Sequence, residues 1–257
     1  MLTHKILKVA FLLFHGARGS CEGDACKICN CSYPVGDVQC RPGAALTEIP
    51  CNIPPGTNGL YAVGNLIKDL GDGDLANATS LQYLFVASNR LTSINAKDLL
   101  GLSHLGELYL QNNSISVVDS MAFSSTASLG YIELSDNKLR SIPNVRGLQH
   151  LSTLSLFNNI ITQVKASDFE NLPLLSDVKL SGNNVSTVEK GSFDSLPAMK
   201  GYQGRICLDG NPLNCCGLEW LRRMGALDSL CDKQTVCASP KHVAGKALKD
   251  TQGIICD

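Results

Sequence analysis

Charge and aromatic rings are both scarce in this chain: 18% of its 257 residues are charged, 5% are aromatic, and there is one tryptophan. With 22 basic residues against 23 acidic ones, it has no positive surplus to neutralise a phosphate backbone, which argues against a nucleic-acid partner. So little charge also excludes a charged disordered chain and a coiled coil. Long apolar runs are missing as well, since no stretch approaches the ~18 residues of a membrane span. No H-E-x-x-H, G-x-S-x-G or G-x-x-x-x-G-K-[ST] occurs, and His4, His15, His104, His150 and His242 stand in no catalytic frame. Gly71-Asp-Gly-Asp74 lacks the further carboxylates of a calcium loop and reads as a convex turn. The expectation is a non-enzyme with no cofactor and no metal. Cysteine, by contrast, is abundant: 12 residues, an even count that points to an oxidising compartment.

The N-terminus agrees with that compartment. Lys5 and Lys8 precede the apolar run Val9 to Phe14 and the small residues Ala17 and Gly19, the order of a signal peptide over 1–20. Its removal would take Lys5, Lys8 and Arg18 and leave 19 basic against 23 acidic residues. The expected product is secreted, extracellular and mildly acidic.

A repeat organises the middle of the chain. Asn65, Asn89, Asn113, Asn137, Asn159 and Asn183 are spaced 24, 24, 24, 22 and 24 residues apart, each within a frame L-x-x-L-x-L-x-x-N-x-L. Leu105, Leu108, Leu110, Asn113 and Ile115 make one clean copy, and Leu175, Val178, Leu180, Asn183 and Val185 another. The first copy is degraded to Leu60, Ala62 and Asn65, and a further one, Ile206, Leu208 and Asn211, opens the C-terminal region. Positions 4 and 6 of the frame should point inward from a short strand, and positions 3, 5 and 7 outward. Stacked copies bury one continuous core, and the asparagines should satisfy backbone groups where the chain leaves each strand. Phe123, Phe169 and Phe193, with Leu99 in the equivalent place, should fill the convex side. The 22-residue copy holds Pro143 and lacks the phenylalanine, so its convex segment should be tighter.

This pattern resembles the leucine-rich repeat family. The resemblance implies an α/β repeat solenoid, a horseshoe with a parallel concave β-sheet and disulfide-bonded caps at both ends. The expected organisation is a signal peptide over 1–20, an N-terminal cap over 21–56, repeats over 57–202 and a C-terminal cap over 203–257. All cysteines lie outside the strong repeats: Cys21, Cys26, Cys29, Cys31, Cys40 and Cys51 before them, and Cys207, Cys215, Cys216, Cys231, Cys237 and Cys256 after. A solenoid has two open core ends that need closing. Resemblance to extracellular caps implies Cys26–Cys31, Cys29–Cys40, Cys215–Cys237 and Cys216–Cys256 bridges, with Cys21–Cys51 and Cys207–Cys231 as extra pairs. Zinc at Cys26-x-x-Cys29 lacks a second matching pair or nearby histidines. Trp220, in the pattern Leu218, Trp220, Leu221, should belong to the C-terminal cap's core.

Function should lie on the concave face, whose outward positions are free of the core constraint. Tyr61, Tyr83, Phe85, Tyr109, Tyr131 and Phe157 all fall there, six of the chain's 13 Phe and Tyr residues, and the first five occupy four consecutive repeats. Tyrosine combines large contact area with few rotors and a polar tip, so this patch reads as a ligand-binding surface. Glu107, Glu133 and Asp136 rim it and favour a basic or hydroxyl-rich partner. Burial of the patch in a homodimer is the narrower alternative. Lys233, Lys241, His242, Lys246 and Lys249 in the C-terminal cap read as a solvated face. N-x-[ST] sequons stand at Asn30, Asn77, Asn112 and Asn184; the last three are expected to carry glycans, whereas Asn30 lies between cap cysteines and should be shielded.

Signal, cysteine cap, repeats and cysteine cap together resemble the variable lymphocyte receptors of jawless vertebrates and related secreted recognition proteins. The resemblance implies binding of protein or carbohydrate ligands, microbial surface antigens among them. Slit-like and Nogo-receptor-like modules share the caps and imply adhesion, guidance or matrix interaction instead. No long inserted finger lies between Cys237 and Cys256 and no threonine-rich stalk follows, so a germline recognition protein is expected rather than a clonally diversified one.

Overall fold

The structure is a computed structural model that describes residues 25–31, 36–194, 196, 204–222, 231 and 234–251. The expected signal peptide, Lys233 and the cysteines Cys21 and Cys256 lie outside them.

Three-residue strands recur once per repeat because each turn of a 22–24-residue coil leaves room for little more. Among the described residues they form a nine-stranded sheet: β1 (Asn30–Cys31), β2 (Asp37–Gln39), β3 (Gly59–Tyr61), β4 (Tyr83–Phe85), β6 (Glu107–Tyr109), β8 (Tyr131–Glu133), β9 (Thr153–Ser155), β11 (Asp177–Lys179) and β13 (Arg205–Cys207). From β2 onward every pairing is parallel, with Leu60, Leu84, Leu108, Ile132, Leu154, Val178 and Ile206 in one column. That column is fully buried, and each such side chain contributes about 2 kcal/mol. At the N-terminal edge, β1 turns antiparallel onto β2, closing a row of backbone groups otherwise open to a foreign strand.

The frame asparagines join one coil to the next. Asn137 Nδ2 donates to the carbonyl of Leu110 in the preceding repeat (3.0 Å) and to Leu134 and Ser135 in its own (3.1 Å each). Its Oδ1 accepts the N–H of Ile115 at 2.9 Å. Asn89, Asn113, Asn159, Asn183 and Asn211 repeat this arrangement. Asn65 extends it into the N-terminal cap by accepting the Leu46 N–H at 3.3 Å. The residue before each asparagine (Gly64, Ser88, Asn112, Asp136, Asn158, Gly182 and Gly210) has a left-handed backbone, φ from 52° to 70°. Glycine, asparagine and aspartate tolerate that conformation best.

On the convex side, β5 (Ser93–Ile94) pairs with β7 (Val117–Val118), and β10 (Gln163–Val164) with β12 (Thr187–Val188). The coil between the two pairs contributes no strand. The N–H of Asp119 bonds Ile94 at 2.8 Å and that of Glu189 bonds Val164 at 2.9 Å. Pro143 occupies the corresponding place and has no N–H to give Val118. Phe123, Phe169, Phe193 and Leu99 are buried beneath this surface, with Phe169 stacked on Phe193 at 5.3 Å.

Cys26–Cys31 and Cys29–Cys40 staple the N-terminal end. Cys207–Cys231 and Cys215–Cys237 staple the C-terminal end, where β14 (Leu213–Asn214) pairs with β15 (Cys237–Ser239). Cys51 and Cys216 are disulfide-bonded as well. Trp220 is half-buried, 6.4 Å from Phe193, and helps to close the core. Among the described residues no helix is long and apolar enough to cross a membrane.

Candidate ligand-binding face

Parallel strands run about 4.8 Å apart, close to the preferred separation of offset-stacked rings, so aromatic side chains at one frame position meet face to face. Tyr61 and Phe85 stack at 4.8 Å, Phe85 and Tyr109 at 4.1 Å, and Tyr109 and Tyr131 at 5.0 Å. The first three rings come from frame position 5. At the next strand that position holds Glu133, and the ladder continues through Tyr131 from position 3. Four rings thus stand side by side across four repeats, with their faces mostly turned to one another.

Two of the three acidic side chains expected at the rim are built into the ladder, whereas Asp136 is exposed and accepts from Asn158 Nδ2 at 3.0 Å. The Tyr109 hydroxyl donates to Glu107 Oε2 at 2.9 Å and the Tyr131 hydroxyl to Glu133 Oε2 at 3.1 Å. Glu133 Oε1 also accepts the N–H of Ser135 at 3.0 Å. Burial, and then the adjacent Glu107, push the Tyr109 hydroxyl up to about 12. Tyr131 is raised by burial and Glu133, and Tyr61 by burial and Asp37. The phenols therefore serve as hydrogen-bond donors across the physiological range.

Two expected ligand-binding residues stand outside the ladder. Tyr83 has no ring neighbour among the described residues; it borders a groove of about 560 Å³ at the entering edge of the strands, together with Glu107, Tyr131, His104 and His150. Gly106 and Gly130 leave the floor of this groove without side chains. His104 is fixed at the rim by Nδ1, which donates to the Thr79 carbonyl at 3.0 Å. The sequence shows these histidines only as lying in no catalytic frame; a column-by-column comparison extended upstream from position 3 finds the glycines at position 2 and the histidines just before the first leucine. Phe157 is 38% exposed and lines a second hollow of about 310 Å³ with Lys179, Arg205 and the Cys207–Cys231 bridge. There Asp177 holds both cations, Arg205 through its guanidinium and Lys179 at 3.7 Å.

Several positions expected to project are covered. Ala87, Ser135, Ser155, Ser181, Cys207 and Asp209 are all buried. Ser155 is short and lies in register between the longer Glu133 and Lys179; Ser181 donates to Asp209 Oδ1 at 2.5 Å; Cys207 is closed by its disulfide. Among the sequons, Asn77, Asn112 and Asn184 are exposed, and so is Asn30, contrary to the shielding expected of it. Asn112 Nδ2 donates to Ser88 Oγ at 3.0 Å along the edge of the face. In the C-terminal cap, Lys241, His242, Lys246 and Lys249 are exposed. Among the described residues no three His, Cys, Asp or Glu side chains gather as a metal cluster.

A parallel-sheet solenoid of asparagine-linked coils, closed at both ends by disulfides and presenting an aromatic concave face, defines the class of protein. The chain belongs to the leucine-rich repeat family: the model of that repeat matches residues 60–115, 103–161 and 149–200. In three dimensions it is similar to the crystal structure of human 5T4 (Wnt-activated inhibitory factor 1, trophoblast glycoprotein), with a TM-score of 0.61 over 91% of this chain and 98% of that one, at 21% identity. No curated protein matches it in sequence.

Proposed function

We propose that this chain is an extracellular, non-enzymatic recognition protein that binds a protein or glycan ligand through the N-terminal half of its concave sheet. The observation that carries this reading is the ladder of Tyr61, Phe85, Tyr109 and Tyr131, three of its rings tyrosines and two of those hydroxyls held by carboxylates. Stacking fixes the rings before a ligand arrives, so little side-chain entropy is lost on binding. Disulfides at both ends support an oxidising compartment. Domain limits at 20, 56 and 202, the signal peptide, and glycans on Asn77, Asn112 and Asn184 belong to this proposal.

Display of the protein on a glycan and microbial-surface array, beside a panel of extracellular proteins, tests it. Tyr83→Ala, Phe85→Ala and Tyr109→Ala combined should abolish whatever binding is found while thermal unfolding stays cooperative. Unchanged binding by a folded triple variant rejects the concave face. Selective binding to extracellular proteins would place the chain with adhesion or guidance modules rather than with microbial recognition.

A further inference from the structure

We infer that the groove beside the ring ladder is a receptor for an arginine side chain, carried by a basic segment of a protein partner. The inference rests on the concave-face reading above and narrows it to a partner chemistry.

Three observations converge. The first is charge. Across β3, β4, β6 and β8 the outward positions 3 and 5 hold Gly59, Tyr61, Tyr83, Phe85, Glu107, Tyr109, Tyr131 and Glu133, two carboxylates and no lysine or arginine. The nearest cations further along the sheet, Lys179 and Arg205, are already joined to Asp177.

The second is free hydrogen-bonding capacity. Glu133 uses both oxygens within the protein, whereas Glu107 uses only Oε2, for the Tyr109 hydroxyl. The other oxygen of Glu107 has no hydrogen bond or ion pair among the described residues, and Glu107 lines the groove. Among the described residues no lysine or arginine lines this groove; its titratable basic residues are His104 and His150.

The third is the set of ring faces. Within the ladder Phe85 and Tyr109 each have a ring on both sides, so a cation cannot reach their faces. Tyr131 has a ring neighbour on one side only, Tyr83 has none among the described residues, and these two border the groove. Tyr61, at the far end of the ladder, also has one ring neighbour but lies outside the groove; two aromatic side chains not enclosed in the stack, Tyr83 and Tyr131, and the unsatisfied carboxylate oxygen therefore coincide in one hollow, above a glycine floor that admits a backbone close by.

A guanidinium meets these conditions better than an ammonium. It is planar, stacks on a phenol face, and presents several N–H donors to a carboxylate while remaining weakly hydrated. The groove, at about 560 Å³, is larger than one side chain and accommodates the neighbouring residues of an extended segment.

Fluorescence anisotropy with labelled four-repeat peptides of arginine, glycine and serine tests the site, with lysine and citrulline replacing arginine in parallel probes. The arginine peptide should bind the full-length protein, and the citrulline peptide, which keeps the shape and loses the charge, should not. Glu107→Gln and, separately, Tyr83→Ala should each weaken binding about tenfold, whereas the charge-matched convex variant Glu170→Gln should not change it. Binding should also fall with added salt. Equal binding of the lysine peptide, retention of the citrulline peptide, or a Glu107→Gln affinity matching that of Glu170→Gln would each overturn the arginine assignment. Loss of an array-identified ligand in the triple variant of Tyr83, Phe85 and Tyr109 but not in Glu107→Gln would leave the concave-face reading standing and remove only this site. Melting curves of each variant identify any loss that comes from unfolding.

Discussion

A single buried asparagine does work here that no apolar residue can take over. Asn137→Ala strands the Ile115 N–H inside the solenoid and leaves the Leu110 carbonyl with Asn113 Nδ2 as its remaining side-chain donor, which should cost about 3 kcal/mol in urea unfolding. The ladder phenols offer a second test. Because the folded pKa of Tyr109 lies above its ordinary value of 10.0, the stability tied to it is complete below about pH 10 and is lost as pH rises through about 12. Ultraviolet titration should show a fraction of the tyrosines ionising late, and Glu107→Gln should bring Tyr109 back toward its ordinary range. The sequence identified which tyrosines share a face, since frame position alone decides that. It did not show that they stack, because stacking depends on strand spacing and on Tyr131 leaning across from position 3 to continue a column that Glu133 interrupts. Nor did it show that short side chains such as Ser155 sink between longer neighbours, which is a property of the pair of flanking residues and not of the position.

At the scale of the repeat, strand placement was legible almost to the residue, because the 24-residue period fixes the inward column once one copy is aligned. The left-handed turn before each asparagine was not read, although its composition of Gly, Ser, Asn and Asp carries the signal. Asn158, with φ of 52°, provides the test. Asn158→Gly should be close to neutral, losing only the hydrogen bond from Nδ2 to Asp136 Oδ1, while Asn158→Val should cost at least about 2 kcal/mol by chemical denaturation. A similar cost for the two variants would mean that the turn relaxes to accommodate a branched residue. The groove went unread for a related reason: His104 and His150 precede the first leucine of the frame, and Gly106 and Gly130 at position 2 offer no side chain to compare.

The whole molecule depends on its ends. Each coil touches only its neighbours, so an open terminal coil exposes core that nothing else covers. Replacing Cys215 and Cys237 by serine releases β14 from β15 and should lower stability by about 3 kcal/mol, with binding of a hydrophobic dye rising before the concave sheet unfolds. Fully cooperative loss of dye exclusion and far-ultraviolet circular dichroism would show instead that the cap is not a separate unit. Pro143 has a consequence at this scale too. The inner sheet is continuous, but the back of the molecule is zipped in two separate lengths, one behind the ring ladder and the other behind the Asp177 ion pairs. The interrupted convex pairing is expected to weaken the coupling between these two lengths, and amide exchange should show two levels of protection meeting near residue 143. This interruption is the expected line of bending in the arc, because the convex backbone is joined there by side chains such as Asn144, which donates to the Ser120 carbonyl at 2.9 Å, and not by strand pairing.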